Sequence, residues 1–248
     1  MEVKVSIITI VNNELIYDDF KKNLEQQSMT NYELIKIKNC NNEFNSATRA
    51  YNQYAKRAKG KYLVFTHPDI RFLDNNVLVD MISTLESLDN VGIAGIAGAI
   101  QGKKNNRIIL SNIVHGSKKE QAGIKIIEPR EVQTLDECLF IIKSDYFQKH
   151  NFIERTSWHL YAVEYCMNTL INGNKVYVIP ANVWHLSDGK SLDQFYVKSL
   201  IEMSSEYRYK FNTLYTTVRK WPINGFKGYV YLRYYYIKQI LKGKWKGK

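Results

Sequence analysis

The chain has 248 residues, 45% of them hydrophobic, which is enough for one sizeable domain with its own core. Its formal net charge of +11 is local: residues 207–248 hold eleven Lys/Arg and no Asp/Glu, while residues 1–206 balance 24 basic against 24 acidic side chains. A neutral body with a basic, aromatic tail excludes a uniformly basic nucleic-acid binder, and three scattered cysteines (Cys40, Cys138, Cys166) exclude a disulfide framework or a zinc knuckle and point to a reducing, cytoplasmic setting.

Val5–Ile10 is short, continuous and β-branched, which predicts a buried strand. Asn12-Asn13-Glu14 forms a turn able to cap a helix over about 15–27. Tyr32–Lys38 alternates as a second strand, and Ala47, Ala50, Tyr51, Tyr54, Ala55 and Ala58 line one face of a helix over about 46–59, closed by Gly60. Lys61–Thr66 is a third buried strand. This β-α-β-α-β opening predicts a doubly wound, mostly parallel α/β sheet. Such sheets bind ligands beyond the carboxyl ends of their strands, here loops 11–14, 39–46 and 67–72.

Further on, Leu73–Leu88 reads as a helix and Val91–Ala99 as a small-residue strand. Residues 101–130 are loop-rich. Val132–Lys143 reads as a strand with Asp136-Glu137 in its middle, where carboxylates need solvent, a partner or a ligand. Trp158–Ile171 is a helix ended by Gly173, and Val176–Pro180 a short strand leading to Asn182-Val183-Trp184-His185. Residues 192–211 read as a helix. The apolar run Val91–Ile100 is too short to span a bilayer. The opening Met1-Glu2-Val3-Lys4 leads straight into a strand pattern rather than a signal peptide.

Three motifs carry candidate chemistry, and each has a plain structural alternative. Asp69 in His67-Pro68-Asp69 either holds a divalent cation against a diphosphate or caps the turn after Pro68. His185 in Trp184-His185-Leu186-Ser187-Asp188-Gly189 is either a metal ligand or a loop histidine bonded to backbone. Glu164 in Trp158–Cys166 is either a catalytic base facing a cleft or a first-turn glutamate favoured by the helix dipole.

In order and spacing, the Asn-Asn-Glu turn, the helix with Asn52, Lys61–Asp69, the acidic strand, the Trp158-His159-Leu160-Tyr161 helix start and the strand ending in His185 resemble family 2 glycosyltransferases of the GT-A fold. The likeness is to a bacterial glycosyltransferase-like branch with a His-x-Asp metal motif, and it covers about residues 3–210. It implies transfer, with inversion, of a sugar from a UDP-sugar to a hydroxyl of a glycan, lipid-linked or protein-linked acceptor, aided by Mn2+ or Mg2+. By that resemblance Thr9, Val11, Asn13, Glu14, Asn39, Ala47, Asn52, His67 and Pro68 hold the nucleotide sugar, Asp69 and His185 the metal, and Trp158 and His159 the acceptor. Members often read Tyr-Asp-Val-Asp where this chain reads Tyr161-Ala162-Val163-Glu164, so the usual base position is Ala162, which takes no proton. Glu164, Asp136 and Glu137 remain as candidate bases. The alternative is a nucleotide-sugar-binding pseudoenzyme that partners an active transferase.

The tail completes the division into a catalytic domain over 1–206 and a helical appendage over 207–248. From Phe226, the residues Val230, Tyr234, Ile237 and Leu241 fall on one helical stripe flanked by Lys238 and Lys242. This stripe suits an anionic membrane surface, at the inner face of the cell membrane, but equally the protein body or a second subunit of a homodimer.

Overall fold

The structure, a computed structural model, describes residues 2–187 and 194–246, with side chains through residue 242; Asp188, Gly189 and the last residues of the basic tail lie outside that description. The first half contains β1 (Val5–Val11), α1 (Glu14–Leu24), β2 (Tyr32–Lys38), α2 (Ala47–Ala55), β3 (Tyr62–Thr66), β4 (Ile70–Phe72), α3 (Val77–Glu86), β5 (Val91–Gly95), β6 (Ala97–Gln101), β7 (Arg107–Ser111), β8 (Ile113–His115) and β9 (Glu120–Gln121). The second half adds β10 (Arg130–Glu131), β11 (Thr134–Leu135), β12 (Leu139–Lys143), α4 (Ser144–Lys149), α5 (Tyr161–Ile171), β13 (Lys175–Val178), β14 (Val183–His185), α6 (Gln194–Tyr207), β15 (Thr213–Tyr215), β16 (Lys220–Pro222) and α7 (Gly225–Lys246).

The main sheet runs β10-β13-β5-β12-β3-β1-β2. β2, β1, β3, β5 and β13 point one way, and β12 and the edge strand β10 the other. The mostly parallel sheet expected from the opening repeat is therefore present, with β12 inserted antiparallel between β3 and β5. Alternation along each strand separates two cores. Val5, Ile7, Val64 and Ile141 face α1 and α3, whereas Ile8, Leu63, Phe65, Phe140 and Ile142 face α2, α4 and α5. Both faces are covered, which is why the strands read as continuous apolar runs.

Two segments that read as single strands are each broken in two. Val91–Ala99 turns at Ile96, so that β5 joins the main sheet and β6 a separate sheet ordered β11-β6-β7. Gly98 permits the second step, because a Cβ there would meet Thr134 O at 2.5 Å and Val178 Cγ2 at 2.8 Å. Val132–Lys143 breaks at Asp136–Cys138, where Asp136 Oδ1 accepts a hydrogen bond from the Cys138 amide (3.1 Å). This side chain substitutes for a ladder partner, ends β11 and turns the carboxylates out of the strand.

A third core joins α5, α6, the β15–β16 hairpin and α7 through Val163, Met167, Leu200, Tyr207, Trp221 and Leu232. Residues on both sides of position 206 build it, and Tyr207 is the last residue of α6. Among the described residues, no helix is long and apolar enough to cross a membrane.

Candidate active site

The chain leaves β3 through His67, Pro68 and Asp69. The His67 amide donates to Cys138 O (2.9 Å), which ties this loop to the Asp136–Cys138 break. β4 pairs antiparallel with β14, setting His185 opposite Ile70, and Asp69 O accepts from the Leu186 amide (3.0 Å). The pairing carries His185 Nε2 to 3.2 Å from Asp69 Oδ2. One ligand atom from each of His67, Asp69 and His185 lies within 4.8 Å of the others.

Burial pushes the His67 imidazole down, only partly opposed by Asp69, so it is neutral at pH 7. Burial also pulls His185 down, but the hydrogen bond and charge of Asp69 outweigh it and hold its pKa above the ordinary histidine value. Asp69 is raised by burial and brought below the usual carboxylate range by His185 and His67. Among the described residues, the buried His185 Nδ1 has no hydrogen-bond partner. Two imidazoles and one carboxylate at this spacing fit a divalent transition-metal ion, which would take the place of the proton shared by His185 and Asp69.

Two clefts open beside this cluster. The first, about 580 Å³, is lined by Asn12, Asn39, Ala47, His67, Asp69 and Trp158 among others. These residues follow β1, β2 and β3, begin α2 and precede α5, so the cleft lies at the carboxyl ends of parallel strands, as the topology predicts. The second, about 760 Å³, is lined by His115, Gly116, Lys118, Asp136, Thr217 and Val218 among others. The His185 ring lies 6.1 Å from that of His67 in the first cleft and 5.4 Å from that of His115 in the second.

Residues 6–209 match the glycosyltransferase-like family. The chain belongs to that family. The transferase is also 23% identical over 214 residues to "ATP synthase subunits region ORF 6" of Fuscovulum blasticum, covering 82% of this chain and 83% of that one. Its fold is that of GT-A glycosyltransferases. It resembles the mannosyltransferase PcManGT from Pyrobaculum calidifontis, solved with GDP-Man and Mn2+ (TM-score 0.53, 11% identity, covering 81% of this chain and 61% of that chain). It also resembles S. aureus TarS 1-349 in complex with UDP-GlcNAc (TM-score 0.55, 14% identity, covering 82% and 66%). The transferase thus spans less than two thirds of either structure's chain.

Within the transferase, Asn39, Ala47, His67, Pro68, Asp69 and Trp158 line the first cleft together. His159 points elsewhere, with its ring 5.7 Å from Tyr196. Several side chains expected at the nucleotide sugar are committed to the fold instead. Thr9 and Val11 are fully buried, because β1 is covered on both faces. Asn13 caps α1 by accepting from the Leu15 and Ile16 amides, and Glu14 pairs with Lys36 (2.5 Å). Asn52 is buried and clamps the Phe152 backbone in both directions (2.8 and 3.1 Å), holding the loop that precedes α5.

The candidate bases separate just as sharply. Ala162 is fully buried in the core of α2, α4 and α5. Glu164 is buried, 3% exposed. It is gripped by Arg155, with Nε to Oε2 at 2.8 Å and Nη2 to Oε1 at 2.5 Å, and accepts from the Tyr207 hydroxyl at 3.0 Å. Both of its oxygens are thus filled, which is the geometry of a structural anchor. Asp136 lines the second cleft and accepts from Thr217 Oγ1 (2.7 Å). Burial raises Asp136, but the bonds from Thr217 and Cys138 bring it below the usual range, so it is ionised at neutral pH.

Glu137 behaves oppositely. Burial, then the charge of Asp136, push it up to about 8, against a smaller pull from the backbone amides at the start of α5. Its folded pKa exceeds its unfolded one, so its contribution is fully present below about pH 4.5 and is lost as pH rises to about 8. Glu137→Gln should therefore melt higher than wild type at pH 8, by roughly 2–6 °C, and within about 1 °C of it at pH 5. Thermal melts across this range check it.

His115 and Thr217 carry no signal of a site in the sequence, and Asn12, Tyr51 and Tyr161 stand in the turn and helices expected there without a role of their own. Tyr51 and Tyr161 were placed on helices, yet their side chains meet beneath the first cleft with ring centroids 5.6 Å apart. His115 enters only through the parallel register of β8 with β14, which sets it opposite His185.

Proposed function

We propose that the transferase moves a sugar from a nucleotide diphosphate sugar, a UDP-sugar, to an acceptor hydroxyl with inversion and with the help of a divalent cation. One observation carries this reading: the His67–Asp69–His185 cluster stands between a cleft suited to a nucleotide sugar and a second cleft holding an ionised carboxylate. The amides of Asn12, Asn39 and Asn42 offer hydrogen bonds to a base and ribose, and Trp158 an aromatic face. His67, Asp69 and His185 would hold the cation; two imidazoles favour Mn2+ over Mg2+. A bound cation supplies positive charge to the departing diphosphate. Asp136 takes the acceptor proton, and Thr217 Oγ1 orients its second oxygen. The acceptor, a glycan or a lipid-linked or protein-linked chain, occupies the cleft of His115, Lys118 and Asp136.

The test is UDP release from a panel of UDP-sugars with Mn2+, with and without candidate acceptors. Asp136→Asn should lower kcat by about 10²–10⁴-fold with donor affinity unchanged. Full activity in this variant would remove Asp136 as the base. A second reading is favoured by Ala162 alone: a donor-binding pseudoenzyme that partners an active transferase. Donor binding without turnover under every condition would establish it.

A further inference from the structure

The surface of α7 carries an inference that does not depend on the chemistry of the clefts. The helix packs on the body through Leu232, 1% exposed, with Tyr231 and Tyr235 against Trp221 at ring-centroid distances of 6.4 and 5.5 Å. At 100° per residue the opposite side carries Phe226, Val230, Tyr234, Ile237 and Leu241. All five are exposed, from 47% at Val230 to 81% at Phe226. The apolar stripe visible in the sequence is thus not the face that docks on the protein.

Lys227 and Lys238 flank one edge of the stripe, with the exposed Lys242 further round the helix, and Arg233 and Tyr229 flank the other. The whole segment from Tyr207 to Lys248 contains no carboxylate side chain. Monomeric proteins rarely leave a contiguous apolar stripe open without a partner. A second copy of the chain would set two such helices face to face, opposing Lys and Arg with no acid on either. An anionic lipid surface meets both demands, since acyl chains and headgroups receive the apolar and tyrosine side chains and anionic headgroups the basic edges.

We propose that the exposed face of α7 lays this protein on an anionic membrane surface, parallel to the bilayer. Truncation of the tail is a poor test, because Leu214, Trp221, Ile223 and Leu232 belong to the third core. Full-length protein is instead sedimented with phosphatidylcholine vesicles with and without phosphatidylglycerol, at low and high salt. Partition is expected only onto the anionic vesicles, falling with salt. The triple variant Lys227→Gln/Lys238→Gln/Lys242→Gln should weaken it on the order of a hundredfold. Val230→Ser/Ile237→Ser should weaken it about tenfold or more, since both side chains lose their burial. Thermal melts should confirm that both variants fold. Equal recovery of folded wild type and variants in the supernatant at low salt would overturn the proposal. A dimer of the wild type that Val230→Ser/Ile237→Ser dissociates, with no vesicle partition, would overturn it in favour of a second copy.

Discussion

Asp69→Ala is expected to lower sugar transfer on the order of a thousandfold and to abolish saturable Mn2+ binding. Asp69 is the charged member of the His67–Asp69–His185 cluster, and the others are imidazoles. Its removal takes away the negative charge that would attract the proposed cation and the acceptor that holds His185 Nε2 at 3.2 Å. Several kcal/mol of charge stabilisation at the leaving diphosphate are then lost, which sets the size of the effect. Calorimetric titration with Mn2+ and UDP release, run on the same preparations, read the two losses separately. The side chain sits in a loop at a cleft, so the melting temperature should move little. Wild-type turnover in this variant would refute the metal role.

The largest expected effect on stability lies at Arg155. Its guanidinium makes two bonds to the buried Glu164, and the same Nη2 reaches Glu206 at 2.8 Å. The Glu164 bond, more than the Glu206 one, outweighs burial and raises the Arg155 pKa. Arg155→Ala leaves a buried carboxylate without its counter-charge, which costs about 3–5 kcal/mol. For a domain of this size that is a fall of roughly 6–20 °C in melting temperature. Turnover per folded molecule at low temperature should stay within about twofold, because the pair lies away from the two clefts and touches no reacting group. Glu164→Gln gives the decisive contrast. Loss of turnover in a folded Glu164→Gln protein would return Glu164 to the list of bases, while a destabilised but active one would fix its role as an anchor.

The sheet was largely legible because its signals are local. The sequence marks β2 with its observed ends, and β1 and β3 to within one residue, since β1 and β3 are short apolar runs and β2 a short alternating one, each bounded by polar turns. The meeting of His67 and Asp69 with His185 follows from local signals as well, because one motif follows a strand, the other ends one, and strand ends gather at one edge. Interrupted strands were not legible. Composition shows no difference between a continuous Val91–Ala99 and two strands in different sheets; the break depends on how closely Gly98 approaches Thr134, a contact between segments far apart in sequence. Residues 101–130 were illegible for the same reason. β7, β8 and β9 are short; β7 pairs with the neighbouring β6 and β9 with β8, but β8 also takes β14, from far along the chain, as a partner.

Among the site residues, errors followed the same line. Asn52 and Glu164 have the chemistry of binding and catalytic groups, but chemistry at a position in sequence does not say which neighbour will claim it. Phe152 and Arg155, both in the loop before α5, claimed them.

The sequence by itself determined the doubly wound sheet, the His-x-Asp loop, the missing carboxylate at position 162 and the confinement of positive charge to the tail. Each is a matter of residue type and local period. Only the tertiary structure decided that Asp136 lines the second cleft, that His115 stands beside His185, and that the apolar stripe of α7 looks outward. Those depend on register between distant strands and on which side of a helix finds a partner, and neither is written in the spacing of residues along one segment.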